Sequence, residues 1–286
     1  MGKIVIVGSG PAGCSAALYA ARAGMETTVI SKGIGALQKA EQIQNYYGFE
    51  EGITGAELYR RGVAGAQAVG TQFVTAEVVG LDYAATLVVQ TTAGDYPADA
   101  VILATGTGRI APKIAGLAEH EGRGVSYCAT CDAFFYRGKT AAVLGTGEYA
   151  LHEVQALLPL AGKVILCTNG EPLTAEFPAG VTVCTEKLEA IEGEETVTAL
   201  RLAGGGLLPV DGLFVALGVA GSAALARKLG APVENGRIVV DEKMQTGIPG
   251  LFAAGDCTGG MLQVCKAVYE GALAATEAIK QIRGKK

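Results

Sequence analysis

Short, almost wholly apolar runs alternate with glycine turns and with longer runs of helical period along this chain. Lys3-Ile4-Val5-Ile6-Val7 reads as a strand buried on both faces, and the glycine turn Gly8-Ser9-Gly10-Pro11-Ala12-Gly13 follows it at once. An alanine-rich helix from Cys14 to Ala23 and a strand over Thr27–Ile30 come next. A second copy begins at Thr140, with strand 140–144, glycine turn 145–150, a helix to about Leu160 and strand 163–167. Between the copies, Val101-Ile102-Leu103-Ala104-Thr105-Gly106 is a strand ending in a turn of small residues. Leu251-Phe252-Ala253-Ala254-Gly255-Asp256 repeats that design ahead of a long helical stretch from about Leu262 to Ile282. Strand, glycine turn, helix and strand, twice over, predict an α/β fold with two Rossmann-like units.

The first glycine turn is GxGxxG in the context that gives it meaning. Gly8 allows the tight turn, Gly10 lets the backbone approach a pyrophosphate, and Gly13 permits close packing of helix on strand; Pro11 and Ala12 open the helix. The helix N-terminus then offers unpaired amides and the positive end of its dipole to the phosphates. Where many such sites place an acid for the ribose hydroxyls, this chain has Ser31, a weaker hydrogen-bonding substitute. Asp256 stands at the mouth of its strand, placed for a cofactor hydroxyl, and a helix N-cap is its structural alternative. For the second turn, a tight strand-to-helix connection without ligand accounts for the glycines at least as well as a working nucleotide site.

Composition narrows the class. With 286 residues, half of them hydrophobic, and a formal charge of −5, the chain is long enough for two domains with their own cores. Its acidic balance argues against nucleic acid as the main partner. No apolar run reaches the length of a membrane span, and the strand pattern starts directly after Met1 without a signal segment, so a cytoplasmic protein is expected. The 42 glycines fit many tight turns, and seven cysteines with one close pair fit a reducing compartment.

That close pair lies in Tyr127-Cys128-Ala129-Thr130-Cys131-Asp132. Two residues between the cysteines let both sulfurs come within bonding distance, and the thiolate is the attacking species. Asp132 is the adjacent group able to move a proton. A zinc site of this type would need a second CxxC or a histidine pair, and the chain has only His120 and His152, far apart in sequence; a dithiol redox couple is expected and no metal.

Taken together, these motifs resemble the low-molecular-weight flavoprotein thioredoxin reductases. The resemblance rests on the N-terminal GxGxxG, residues 43–49 (Ile-Gln-Asn-Tyr-Tyr-Gly-Phe, similar to the family's IENYPGF), ATG at 104–106, CATCD at 128–132, GxGxxA at 145–150 and AAGDC at 253–257. It implies FAD as cofactor and a discontinuous FAD-binding domain of residues 1–111 and 232–286. An inserted NAD(P)H-like domain, 112–231, would carry the redox CxxC. It further implies that Gly8, Gly10, Pro11, Ala12, Gly13, Ser31, Ala104, Thr105, Gly106, Gly255 and Asp256 hold the cofactor, with Asn45 beside the isoalloxazine. The N-terminus of the last helix, near Met261 to Gln263, would set its dipole at the pyrimidine end of the flavin. Electrons would pass to Cys128–Cys131, with Cys131 taken as the cysteine facing the flavin, and on to a thioredoxin-like protein through a mixed disulfide. A homodimer is implied as well.

The chain departs from the NADPH-using members at one informative place. Their strand equivalent to Lys163–Cys167 is followed by a basic HRRxxxR cluster that grips a 2′-phosphate. Here Thr168 to Glu176 holds two acids, and no Lys or Arg appears before Lys187. About a dozen residues separate that strand from the next, Val181 to Thr185, so the intervening helix is expected to be shortened or lost. Length, CxxC and the missing cluster resemble the ferredoxin-dependent flavin thioredoxin reductases, which implies reduced ferredoxin as donor. Arg60, Arg61, Lys280, Arg283, Lys285 and Lys286 are candidates for docking it. An NADPH-dependent reductase, a small-molecule dithiol oxidase using oxygen and a flavin-bound redox sensor are the alternatives.

Overall fold

The computed structural model describes residues 2–106, 112–217 and 221–284. The chain divides into two compact units, Met1–Gly108 with Gly221–Lys286, and Arg109–Ala220.

The first unit opens with β1 (Lys3–Val7), α1 (Pro11–Arg22), β2 (Glu26–Ser31), α2 (Gly55–Ala68) and β3 (Gln72–Thr75). An antiparallel ribbon of β4 (Val78–Tyr83), β5 (Leu87–Thr91) and β6 (Gly94–Ala98) leads into β7 (Ala100–Leu103). In the second unit stand β8 (Val125–Ser126), α3 (Ala129–Asp132), β9 (Thr140–Leu144), α4 (Glu148–Leu157), β10 (Lys163–Cys167) and β11 (Thr182–Cys184). A small antiparallel sheet of β12 (Leu188–Glu192), β13 (Ala199–Leu202) and β14 (Leu207–Pro209) and the strand β15 (Gly212–Val215) complete it. The chain returns to the first unit with α5 (Ser222–Lys228), the β16 (Val233–Glu234) and β17 (Arg237–Ile238) hairpin, β18 (Leu251–Ala253) and α6 (Val264–Gly284).

Each unit is built on a five-stranded parallel sheet, in the order β18-β7-β1-β2-β3 for the first and β11-β10-β9-β15-β8 for the second. β1 and β9 are the strands from which chain order runs in opposite directions. Crevices at the carboxyl ends of such strands are where α/β sheets bind ligands. Beyond their first residues both strands are apolar and buried, as parallel strands covered on two faces must be.

The first core sets Ile4, Ile6, Ile102 and Phe252 of the sheet against a run of alanines, Ala16, Ala17 and Ala20 of α1 and Ala274, Ala275 and Ala278 of α6. Small side chains bring those helices close: a Cβ on Gly271 would lie 2.1 Å from the Ala12 carbonyl oxygen. The return segment joins the first unit at Gly221, ahead of the expected residue 232, because α5 packs on β4 and its first residue, Ser222, is hydrogen-bonded to Thr105. Among the described residues no helix is long and apolar enough to cross a membrane.

Candidate functional site

In the first unit the two turns at the carboxyl ends of β1 and β7 lie against each other. Gly8 has φ +109°, and a Cβ there would stand 2.3 Å from the carbonyl oxygen of Ala104, whose own amide bonds Val7. Gly13 is as constrained, since a Cβ would come 1.8 Å from the Gly8 oxygen. Gly10 differs: nothing lies within 4 Å of the Cβ it lacks. Pro11 begins α1, which carries no side-chain cap and no acid in its first turn. The amides behind Ala12 and Gly13 therefore face an open approach, the arrangement an anion needs. At the end of β2, Ser31 Oγ is 2.7 Å from Ser9 Oγ, which also lies 3.1 Å from the Tyr59 hydroxyl.

Three other parts of this unit gather at the same sheet ends. Thr105 Oγ1 accepts from the Ser222 amide at 2.9 Å and shares a 2.7 Å hydrogen bond with its hydroxyl, while Gly106 takes φ +73°. The turn after β18 is held by α6. Glu270 accepts the Gly255 amide at 2.8 Å, and Lys266 donates to the Gly255 carbonyl and the Thr258 hydroxyl, both at 2.9 Å. Asp256 sits in that turn half-buried, and the loss of hydration pushes its carboxyl above the ordinary range, with Lys266 opposing. Asn45 Nδ2 donates to Gln263 Oε1 at 2.7 Å, joining two exposed residues 218 positions apart in the chain. Ser222, Glu270 and Lys266 were missed in the sequence. The i,i+4 acid–base pair on α6 is the one signal that could have drawn attention to two of them.

In the second unit Cys128 and Cys131 form a disulfide across the first turn of α3. Cys128 is buried and Cys131 exposed. The Cys131 amide donates to Cys128 Sγ at 3.1 Å. Asp132 accepts a 2.6 Å hydrogen bond from Ser126 Oγ, and that same oxygen accepts the Cys128 amide at 3.0 Å. A buried carboxylate, Glu153 of α4, accepts the amide of Ala129 between the cysteines. Phe134 and Phe135 stand exposed beside them, 65 % and 67 % accessible. Ser126 and Glu153 too escaped the sequence reading.

The second glycine turn has a structural reason to exist. Gly145 adopts φ +157°, and a Cβ there would lie 2.2 Å from the Ala216 carbonyl oxygen. No helix forms between β10 and β11. The loop in that place folds back on the turn instead, Thr174 donating its amide to the Thr146 carbonyl at 2.8 Å. Glu171 and Glu176 are exposed in it, whereas Lys187 lays its stem by Gly170, whose missing Cβ would meet Lys187 Cε at 3.3 Å. Of the expected docking cations, Arg60 and Arg61 both bind Glu57, Lys280 binds Glu277 and Arg283 donates to the Ala23 carbonyl. Lys285 and Lys286 lie outside the described residues.

Comparison with known proteins agrees with this arrangement. The model of the pyridine nucleotide-disulphide oxidoreductase family matches residues 2–271. A thioredoxin reductase of Listeria innocua is 33 % identical over 298 residues, covering 98 % of this chain and 93 % of its own length. One from Aquifex aeolicus is 34 % identical, covering 99 % and 94 %. Among solved structures, an atypical thioredoxin reductase from Desulfovibrio vulgaris Hildenborough matches with a TM-score of 0.92 at 40 % identity over 99 % of both chains. A ferredoxin-flavin thioredoxin reductase from Clostridium acetobutylicum matches with a TM-score of 0.75 at 35 % identity, over 99 % of this chain and 98 % of that one.

Proposed function

Because this chain belongs to the pyridine nucleotide-disulphide oxidoreductases, among the thioredoxin reductases, we propose that it reduces a thioredoxin-like protein through Cys128 and Cys131 with electrons from a reduced ferredoxin. FAD is its cofactor. The residues present fit that group: the open side of Gly10, the uncapped start of α1 and the close turns at Gly8 and Ala104 suit a pyrophosphate, and Asp256 and Ser31 are polar groups at the same strand ends. Gly13, Thr105, Gly106, Gly255, Asn45 and Gln263 complete the set assigned to it. When bound, FAD supplies the exchange between one-electron donors and a two-electron disulfide.

The remaining chemistry belongs to the chain. Opening Cys128–Cys131 takes two electrons and leaves two thiols. Asp132 takes a proton from the attacking thiol and returns one when the mixed disulfide resolves, with Ser126 Oγ fixing its carboxylate. Against the expectation that Cys131 faces the flavin, its exposure and the burial of Cys128 favour Cys131 as the sulfur that attacks the partner's disulfide; Cys128 then attacks Cys131 Sγ and releases the reduced partner. Phe134 and Phe135 provide apolar surface beside the exposed sulfur for a protein substrate. The reading includes a homodimer.

The observation that carries the choice of donor is the loop after β10. It holds two exposed carboxylates, lacks the crossover helix and is bonded to the second glycine turn through Thr174. A 2′-phosphate there would meet negative charge at close range. NADPH as donor, the second reading, has Lys187 beside Gly170 in its favour. Trapping tests the thiol order: with a thioredoxin that lacks its resolving cysteine and carries its remaining cysteine as an aryl mixed disulfide, Cys128→Ser should accumulate a protein–protein mixed disulfide and release the aryl thiolate, and Cys131→Ser should not. The reverse pattern would reassign the attacking sulfur.

A further inference from the structure

Two cysteines outside the CxxC meet at the edge of the second unit's sheet. Cys167 closes β10 and Cys184 closes β11, and they are direct partners in the parallel register. Directly paired residues project from the same face of a sheet, with Cα atoms about 4.8 Å apart. That spacing falls inside the range of about 4.4–6.8 Å over which disulfides close. The two thiols are already hydrogen-bonded to each other, and neither is in a disulfide. Cys167 is fully buried, while Cys184 is partly exposed on a three-residue strand that, among the described residues, is the edge of its sheet. A short edge strand tied on one side only can move the fraction of an ångström that a bond requires. Burial alone explains a core cysteine at 167; it does not explain a second one facing it from a position that solvent reaches.

We propose that Cys167 and Cys184 form a second oxidisable pair, which closes to a disulfide when the protein meets a small-molecule disulfide. The Cys184 thiolate attacks one sulfur of the disulfide RS–SR, forming Cys184–S–S–R and releasing one thiolate RS⁻. Cys167 then gives its proton to water and attacks Cys184 Sγ, which forms the internal bond and expels the second RS⁻. Two protein thiols are oxidised and one external disulfide is reduced to two thiols. The order follows from the surroundings. Burial, with the Cys184 sulfur alongside, pushes the Cys167 thiol up to about 12, so it resolves rather than initiates. The closed bridge fastens both ends of the loop that carries Thr174 onto the second glycine turn, since Thr168 and Cys184 are joined there by a 2.9 Å backbone hydrogen bond.

The test uses the full-length flavin-loaded protein carrying Cys128→Ser, Cys131→Ser and Cys265→Ser, which removes the catalytic disulfide and the exposed lone thiol. It is incubated with oxidised glutathione, alkylated under denaturing conditions and digested with trypsin. Both sulfurs lie on the single peptide between Lys163 and Lys187. The expected result is that this peptide escapes alkylation, loses the mass of two hydrogens and, after cleavage at Glu176, keeps its two parts covalently joined. Adding Cys184→Ser should abolish the linkage and leave Cys167 alkylatable. A glutathione adduct that persists on Cys184, or two alkylated cysteines on that peptide, would overturn the proposal.

Discussion

Of the disulfide-bonded pair Cys128–Cys131, one residue is exposed and the other buried, and the proposed order of exchange rests on that difference. Either cysteine replaced by serine should abolish thioredoxin reduction while the purified protein stays yellow, because the residues assigned to the flavin all belong to the other unit. Steady-state assay and the visible spectrum check this. Ser126→Ala removes one hydrogen bond to the Asp132 carboxylate and one from the Cys128 amide, so turnover should fall about tenfold or more with flavin content unchanged. Asp132 was legible because it follows the motif in sequence. Ser126 and Glu153 were not, since their partners are brought to them by a turn and by a helix. The buried thiols make a further prediction. Burial pushes Cys14 and Cys167 up to about 12 and Cys257 up to about 11, whereas an unfolded thiol ionises near 9.0. The folded state thus keeps these thiols neutral where the unfolded chain would ionise. Their contribution is complete below pH 9 and is lost as pH rises towards 12. Thermal melts of the disulfide-intact protein should show a midpoint that falls between pH 8 and pH 10.5.

Two glycine turns that look alike in sequence do different work as elements. The first glycine of each is pressed against a carbonyl oxygen, Gly8 against Ala104 and Gly145 against Ala216; the approach beside Gly10 is open, whereas the loop after β10 is bonded through Thr174 to Thr146 in the second turn. Gly13→Ala should therefore cost flavin binding, because its methyl group would collide with the Gly8 carbonyl and spread the turn. Gly145→Ala should lower stability by about 2–3 kcal/mol, from backbone strain and overpacking, and leave flavin content as it was. Denaturation curves and absorbance distinguish the two. Strand, turn and helix were readable at both sites from apolar period and glycine spacing. That a loop 28 residues downstream is bonded to the second turn was not, because the contact is made only in the fold. The lost crossover helix could be read, since the segment is too short to hold one. The position of Lys187 beside Gly170 could not.

At the scale of the whole molecule, repetition of one pattern gave away the two units, and the second boundary needed the fold. α5 joins the first unit through the Ser222–Thr105 bond, between residues 117 apart in sequence. Charge is spread without a strong basic face among the described residues named for docking. Arg60 and Arg61 share one carboxylate, Glu57, which holds that acid down to about 2. Association with an acidic donor should accordingly depend only weakly on salt, which stopped-flow rates at two ionic strengths would measure. Thioredoxin's potential of about −270 mV demands a donor at least as reducing, a condition that low-potential iron–sulfur proteins meet.

The most direct test of the account is anaerobic reduction of thioredoxin by the purified enzyme, with reduced ferredoxin and with NADPH supplied in parallel. The account predicts multiple turnovers and new thioredoxin thiols with ferredoxin, and a flavin that stays oxidised under NADPH. Rapid, complete bleaching by NADPH with matching thioredoxin reduction would contradict it.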